Sequence, residues 1–219
     1  TPVRPNLKSV PMHPPQAGLF ARMSERTLVW CATALLFVLG SFQQLLVRFP
    51  PYQDLPDHLS TAYILTHATR YPEFERTGYL HSNSLFPWFL ATLGPRIGWV
   101  LSARIFIWLT LACSAYALPR FVRAMSGRRA LIVAIPFMVP MVHTWWLSMG
   151  MVNFALALPL SLLFLTWSRE QLESFRPARA LLQALFLVFL SLTHSIPLLL
   201  CAALVAFDVE MLAEDFQLA

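Results

Sequence analysis

Two aspartates and a histidine, Asp54, Asp57 and His58, follow the first long apolar run of the chain. A carboxylate in this position can bind a divalent cation or accept a proton from a hydroxyl group. Prolines stiffen the segment around Asp54, and Asp57 is a suitable N-cap for a helix over 58–70. Asp54 and Asp57 are therefore candidate catalytic residues, and a divalent metal is the cofactor that they could hold. A helix cap at Asp57 and a solvated loop are the alternatives.

Four further polar side chains lie within or at the ends of otherwise apolar runs: Arg104, His143, Asn153 and His194. Such groups are costly in a membrane and usually face a bundle interior or a wet cavity. Each also has a purely structural interpretation. Arg104 could snorkel to the headgroups, the histidines could bond backbone or hydroxyl groups, and Asn153 could cap its helix. With His58, these four are the candidate substrate-binding residues.

The elements that must position these residues are apolar helices. The 219-residue chain is 57% hydrophobic and 12% charged, with a mean hydropathy of +0.59. Its apolar residues form four long runs, at 27–47, 97–118, 130–167 and 180–207. About 20 such residues in a helix cross a hydrocarbon core about 30 Å thick. The sequence therefore excludes a soluble domain and predicts an all-α, multi-pass membrane protein.

Basic residues predict how the chain is oriented. Segments 1–26, 119–129 and 168–179 carry eleven of the sixteen lysines and arginines, and the positive-inside rule places all three in the cytoplasm. An even number of spans must separate neighbouring basic segments, so 130–167 is predicted to be a hairpin that turns near Gly150. This placement explains the net charge of +5 without a nucleic-acid partner.

The resulting topology has about five transmembrane helices, at 27–47, 97–118, 130–148, 151–167 and 180–207. Residues 1–26 form a disordered basic cytoplasmic arm, and 27–219 form a single transmembrane domain. A long external loop, 48–96, contains a juxtamembrane helix, and 84–94 is a membrane-surface or re-entrant segment. The N-terminus is cytoplasmic, the C-terminus is external, and the expected location is the bacterial inner membrane.

This topology places the polar residues at similar depth. His143 and His194 lie about 20 Å along their spans from the cytoplasmic ends, and Arg104 lies about 10 Å below the external end of its span. Asn153 begins a span just after the hairpin turn. All four are thus expected in the external half of the bilayer, on the same side as Asp54.

Two segments carry a resemblance to a known family. They are Phe49-Pro-Pro-Tyr-Gln-Asp54-Leu-Pro-Asp57-His58-Leu in the loop and Met149-Gly150-Met-Val-Asn153-Phe-Ala-Leu at the hairpin turn, and Leu192-Thr-His194 adds a third, shorter match. Together with the predicted topology they resemble the N-terminal half of GT-C superfamily glycosyltransferases. The resemblance implies a loop carboxylate, by position Asp54 or Asp57, as base or metal ligand. It also implies a sugar donor linked to a polyprenyl phosphate. The two aspartates depart from the family pattern, in which acidic residues are adjacent or separated by one residue.

The leading hypothesis is therefore a glycosyltransferase that moves a sugar from a lipid-linked donor to an acceptor on the external face. Asp54 or Asp57 would deprotonate the acceptor, while Arg104 with His194 or His143 would stabilise the phosphate leaving group. Two alternatives use the same residues differently. One is a transporter or flippase component for a lipid-linked substrate, and the other is a non-catalytic membrane subunit whose polar residues pair with one another.

Overall fold

The computed structural model describes residues 23–75 and 81–217, without the side chains of Glu173 and 207–217. This part of the chain is all-helical and contains no strand. The predicted basic arm, 1–26, lies outside it except for its last four residues. The helices are α1 Glu25–Leu46, α2 Leu55–Thr66, α3 Leu85–Ile97, α4 Trp99–Val142, α5 Trp145–Ser148, α6 Val152–Glu173, α7 Pro177–Thr193 and α8 Ser195–Gln217.

Helix α4 is a hairpin of two arms that meet at Gly127. This glycine has φ +78° and ψ −176°, which residues with a Cβ rarely adopt. On one side of it, the Arg123 Nε donates to the Glu25 carboxylate at 2.9 Å. On the other, the Arg128 Nη2 donates to the Met23 carbonyl oxygen at 2.7 Å. The turn therefore lies beside the N-terminus of α1.

The far ends of both arms lie near the C-terminal half of α1. Arg104, early in the first arm, donates to the carbonyl oxygen of Val47. Val142, at the end of the second arm, packs so closely on Gly40 that a Cβ on Gly40 would clash with its Cγ1. The first arm thus runs antiparallel to α1 and the second runs parallel to it.

Helices α6 and α7 form a second antiparallel pair. At one end, Arg179 Nη1 lies 3.7 Å from a Glu170 carboxylate oxygen. At the other, the rings of Phe154 and His194 are 4.9 Å apart. We call the end with Glu25, Arg123 and Glu170 the basic end of the bundle, and the opposite end, where α6 begins, the site end.

The predicted single span over 180–207 is two helices. The backbone at His194 is extended, with φ −164° and ψ 135°, and it separates α7 from α8. Helix α8 then returns along α6, with the Cys201 Sγ 3.8 Å from the Ser161 carbonyl oxygen. Pro197 lies in the first turn of α8, where its missing N–H leaves no helical hydrogen bond unmade. The chain therefore turns back instead of continuing outward as predicted.

The predicted external loop, 48–96, contains two helices. The juxtamembrane helix is present as α2, but it begins at Leu55, with Asp54 and not Asp57 at the N-cap position. Pro56 is accommodated in its first turn, which moves the start upstream of the predicted one. The segment 84–94, predicted to be a membrane-surface or re-entrant segment, is most of the regular helix α3, which packs on α2 and α4.

Within the described residues, three helical segments are long and apolar enough to cross a membrane, by length and composition: Glu25–Leu46, Trp99–Ser148 and Val152–Leu172. The second of these contains both arms of α4. Large apolar side chains on α1 and α4 point outward, with Leu45 71% and Phe137 70% exposed, as expected of surfaces that face lipid. The predicted all-α fold with several candidate membrane helices is confirmed.

Candidate functional site

A cleft of about 470 Å³ opens at the site end, where four separate segments meet. They are the start of α2, the segment before α3, the turn between α5 and α6, and the break between α7 and α8. Polar and aromatic side chains line it, among them Asp54, His58, Trp146, Asn153, Phe154 and His194. Four of the predicted site residues are thus brought to one place.

Asp54 is held against the turn between α5 and α6. Its backbone N–H donates to the carbonyl oxygen of Met149 at 3.2 Å, and the N–H of Gln53 donates to Ser148 at 3.3 Å. Gly150 lies so close that a Cβ on it would be 2.6 Å from the Asp54 nitrogen. Its φ of +88° is a second reason for glycine at this position. The carboxylate is therefore carried by a backbone anchored at two points.

His58 is fixed by the same turn. Its Nε2 donates to the Gly150 carbonyl oxygen at 3.2 Å, and its ring packs edge-on against Phe86 at 5.2 Å. Because Nε2 carries the hydrogen, the neutral ring keeps a lone pair on Nδ1. Burial lowers the pKa of His58 below its usual 6.5, against the opposing effects of the Gly150 bond, Asp54 and Asp57. At neutral pH His58 is thus an acceptor in the cleft.

Asn153 links α6 to the start of α3. Its Oδ1 accepts the N–H of Phe86 at 2.9 Å, and its Nδ2 donates to the carbonyl oxygen of Asn83 at 2.7 Å. The Phe86 N–H is one of the first-turn donors that have no partner within their own helix. The amide of Asn153, which is 4% exposed, therefore caps the N-terminus of α3 from another helix. Capping was the structural alternative in the sequence analysis, although for the helix that Asn153 itself begins.

His194 lines the cleft at the break between α7 and α8. Its Nδ1 accepts the N–H of Ile196 at 3.2 Å, which in the neutral ring leaves the hydrogen on Nε2. The preceding N–H, of Ser195, donates to the Ser82 hydroxyl at 3.0 Å and so ties the break to the segment before α3. The cleft therefore holds one histidine with a ring acceptor and one with a ring donor.

Aromatic rings complete the wall. Trp146 packs edge-on against Phe154 at 5.0 Å and against Trp145 at 4.9 Å. Both tryptophans are substantially exposed, Trp146 at 38% and Trp145 at 62%. Exposed tryptophans are typical of the membrane–water interface, and Trp146 also presents an apolar surface to the cleft.

Three predicted site residues lie elsewhere. Asp57 is exposed on α2, outside the lining of the cleft. Arg104 is committed to the carbonyl oxygen of Val47, and the ring of His143 lies 6.0 Å from that of Tyr52. Arg104 and His143 belong to a neighbouring polar cluster at the same end of the bundle. The contacts of this cluster hold the C-terminal end of α1 in place.

Tyr52 connects that cluster to Asp54. Its hydroxyl accepts a hydrogen bond from the amide of Gln44 on α1, and both side chains are buried. Burial raises the pKa of Tyr52 to about 12, so the hydroxyl stays protonated. The segment that carries Asp54 is thus attached to α1 on one side and to the α5–α6 turn on the other.

Asp54 and Asp57 are poorly suited to a shared metal ion. Among residues 23–75 and 81–206, no group of three His, Cys, Asp or Glu side chains is placed to bind one. The cleft contains Asp54 alone of the two carboxylates.

Two residues outside the predicted site hold the cleft together through backbone atoms. Gly150 was noted only as a turn, but its carbonyl oxygen binds His58. Asn83, with φ +66°, shapes the segment before α3. The run Ser82-Asn83-Ser84 was the available signal, because asparagine and serine are enriched in turns and asparagine tolerates positive φ.

Comparison with known proteins gives no relative: no family model, no curated protein and no solved structure matches the chain.

Proposed function

We propose that this chain is the N-terminal part of a GT-C-like membrane glycosyltransferase. It would move a sugar from a polyprenyl-phosphate donor to an acceptor hydroxyl on the external face of the inner membrane, with its N-terminus in the cytoplasm. The observation that carries the proposal is the single cleft in which Asp54, His58 and His194 meet. This grouping joins residues 140 positions apart at one end of the apolar bundle.

Asp54 is the proposed base. As the acceptor oxygen forms a bond to the anomeric carbon, the bond from that carbon to the phosphate oxygen breaks, and Asp54 accepts the proton that the acceptor loses. His58 lines the same cleft, and the lone pair on its Nδ1 can accept a hydrogen bond from another substrate hydroxyl. Asp57, which is exposed outside the cleft, has no part in this step.

His194 is the proposed donor to the leaving group. Negative charge develops on the phosphate as the bond to the sugar breaks, and a hydrogen-bond donor placed there lowers the barrier. The Nε2–H of His194 is suited to this because Nδ1 is already engaged by Ile196. Arg104 and His143 do not stabilise the leaving group in this proposal, because they lie outside the lining of the cleft.

The test is product formation. Purified full-length protein would be incubated with radiolabelled polyprenyl-phosphate sugars and a membrane extract as the source of acceptor. Transfer of label from the lipid fraction to a new product is the expected result. If no polyprenyl-phosphate sugar is consumed under conditions in which the protein stays folded, the proposal is wrong.

One observation favours a second candidate, a transporter or flippase for a lipid-linked substrate. The helix break at His194 resembles the discontinuous helices that transporters place around a substrate. Proteoliposomes separate the two candidates: movement of a fluorescent lipid-linked sugar across the bilayer, without a new product, would favour transport. A non-catalytic subunit predicts neither result.

A further inference from the structure

A second cleft, of about 510 Å³, lies near the basic end between α4, α6 and α7. Its rim and its wall have different chemistry. The rim carries Arg120, Glu170 and Arg179, whereas Trp167, Leu182 and Phe186 form an apolar wall. The cleft is on the opposite end of the bundle from Asp54, so the proposed transfer reaction does not involve it.

The rim has more positive than negative charge. Glu170 is contacted by two arginines, with Arg120 Nη2 at 3.1 Å from one oxygen and Arg179 Nη1 at 3.7 Å from the other. One carboxylate cannot neutralise two guanidinium groups. The Nε of Arg120 is also buried and lacks a hydrogen-bond partner among the described residues. Helix α7 begins at Pro177, and the partial positive charge of its N-terminus adds to the field.

The wall faces outward from the bundle. On α7, Leu182 is 63% and Leu185 59% exposed, and both line the cleft. The rings of Trp167 and Phe186 pack at 5.2 Å and form the inner part of the wall. An occupant therefore meets cationic groups at the rim and a continuous apolar surface along the first half of α7.

We propose that this cleft binds an anionic phospholipid. Its phosphate would contact Arg120 and Arg179, and one acyl chain would lie along Leu182 and Leu185. Basic pockets between transmembrane helices bind anionic headgroups, and positively charged ends of such bundles face the cytoplasmic leaflet. The positive rim suits a phosphate group, and the apolar wall suits an acyl chain. Together they favour a lipid, because a free anion would contact only the rim.

The test measures lipid retention by native mass spectrometry on the full-length protein in dodecyl maltoside, with dioleoyl phosphatidylglycerol and dioleoyl phosphatidylcholine as probes. Wild type should retain phosphatidylglycerol at several-fold lower concentration than phosphatidylcholine. Arg179→Gln, which leaves the Arg120–Glu170 pair intact, should weaken phosphatidylglycerol binding about fivefold. Glu170→Gln removes the competing carboxylate and should strengthen it. The control, Arg70→Gln, changes an exposed arginine outside the cleft and should have no effect.

Three outcomes would overturn the proposal. Equal retention of the two lipids by wild type shows no anion site. A shift of Arg179→Gln and Glu170→Gln in the same direction shows a structural effect, since lipid binding requires opposite shifts. Complete displacement of phosphatidylglycerol by an equal concentration of inorganic phosphate shows an anion site that does not recognise lipid.

Discussion

The Nε2 of His58 donates a hydrogen bond to the carbonyl oxygen of Gly150 at 3.2 Å, across 92 residues of chain. This bond joins the first turn of α2 to the turn between α5 and α6. It lies beside the contacts that the backbone of Asp54 makes with the same turn. The position of Asp54 in the cleft therefore depends on Gly150 as well as on its own helix.

Replacement of Gly150 by alanine should displace Asp54. The new Cβ would lie 2.6 Å from the Asp54 nitrogen and 2.9 Å from its Cβ, and φ is +88°. Backbone strain alone should cost about 1–2 kcal/mol of unfolding free energy. Gly98→Ala is the matched control, because Gly98 has φ +95° but a Cβ added to it would meet no atom within 4 Å. Both variants should lower the melting temperature, and only Gly150→Ala should also abolish transfer. Equal loss of transfer would show that strain alone, and not the contact with Asp54, is responsible.

Asn153→Ala should destabilise the protein. It removes the acceptor of the buried Phe86 N–H and the donor to Asn83, and an unsatisfied buried group costs about 1–3 kcal/mol. Ser161→Ala is the control, because the buried Ser161 hydroxyl donates to the Ala157 carbonyl of its own helix. Its cost should be smaller, since that carbonyl keeps its helical partner. Thermal unfolding in detergent compares them, and equal effects would argue against capping of α3 by Asn153.

His58 should make stability depend on pH. Burial lowers its pKa in the folded protein, so the unfolded chain binds a proton more readily. The stabilising contribution is present above the unfolded pKa of 6.5 and is lost as the pH falls below it towards the folded pKa. His58→Gln keeps a donor for Gly150 and should flatten the acid side of a melting-temperature profile between about pH 5 and 8. His67→Gln, at the C-cap of α2, is the control. A profile unchanged in His58→Gln would contradict this assignment.

Runs of hydrophobic residues predicted most of the helices, and glycine predicted the turn between two of them. The first predicted span, 27–47, matches α1, and the predicted turn near Gly150 separates α5 from α6. The break at His194 was missed because apolar side chains continue on both sides of it. Pro197 gave no distinguishing signal, because prolines also lie inside helices of this chain, as Pro136 and Pro140 do in α4.

Four of the seven predicted site residues line the cleft, and its geometry was only partly predictable from the sequence. Depth along the spans indicated that Asn153 and His194 approach Asp54, because depth follows from the rise per residue. Depth does not indicate which side of a helix a residue occupies. Arg104 and His143 are therefore at the site end but in a different cluster. The residue at which α2 starts determines which of the two aspartates faces the cleft. That start depends on the position of Pro56 in the first turn of the helix.

The most direct measurement of the central claim compares Asp54→Asn with Asp57→Asn in the full-length protein. The two substitutions are chemically identical and three residues apart, but only Asp54 lines the cleft. Transfer from a radiolabelled polyprenyl-phosphate sugar should fall about 10²- to 10⁴-fold in Asp54→Asn, the usual contribution of a general base. It should stay within about twofold of wild type in Asp57→Asn, since the role of an exposed carboxylate in the first turn of α2 is electrostatic at most. Wild-type transfer by Asp54→Asn, in protein that melts like wild type, would contradict the account.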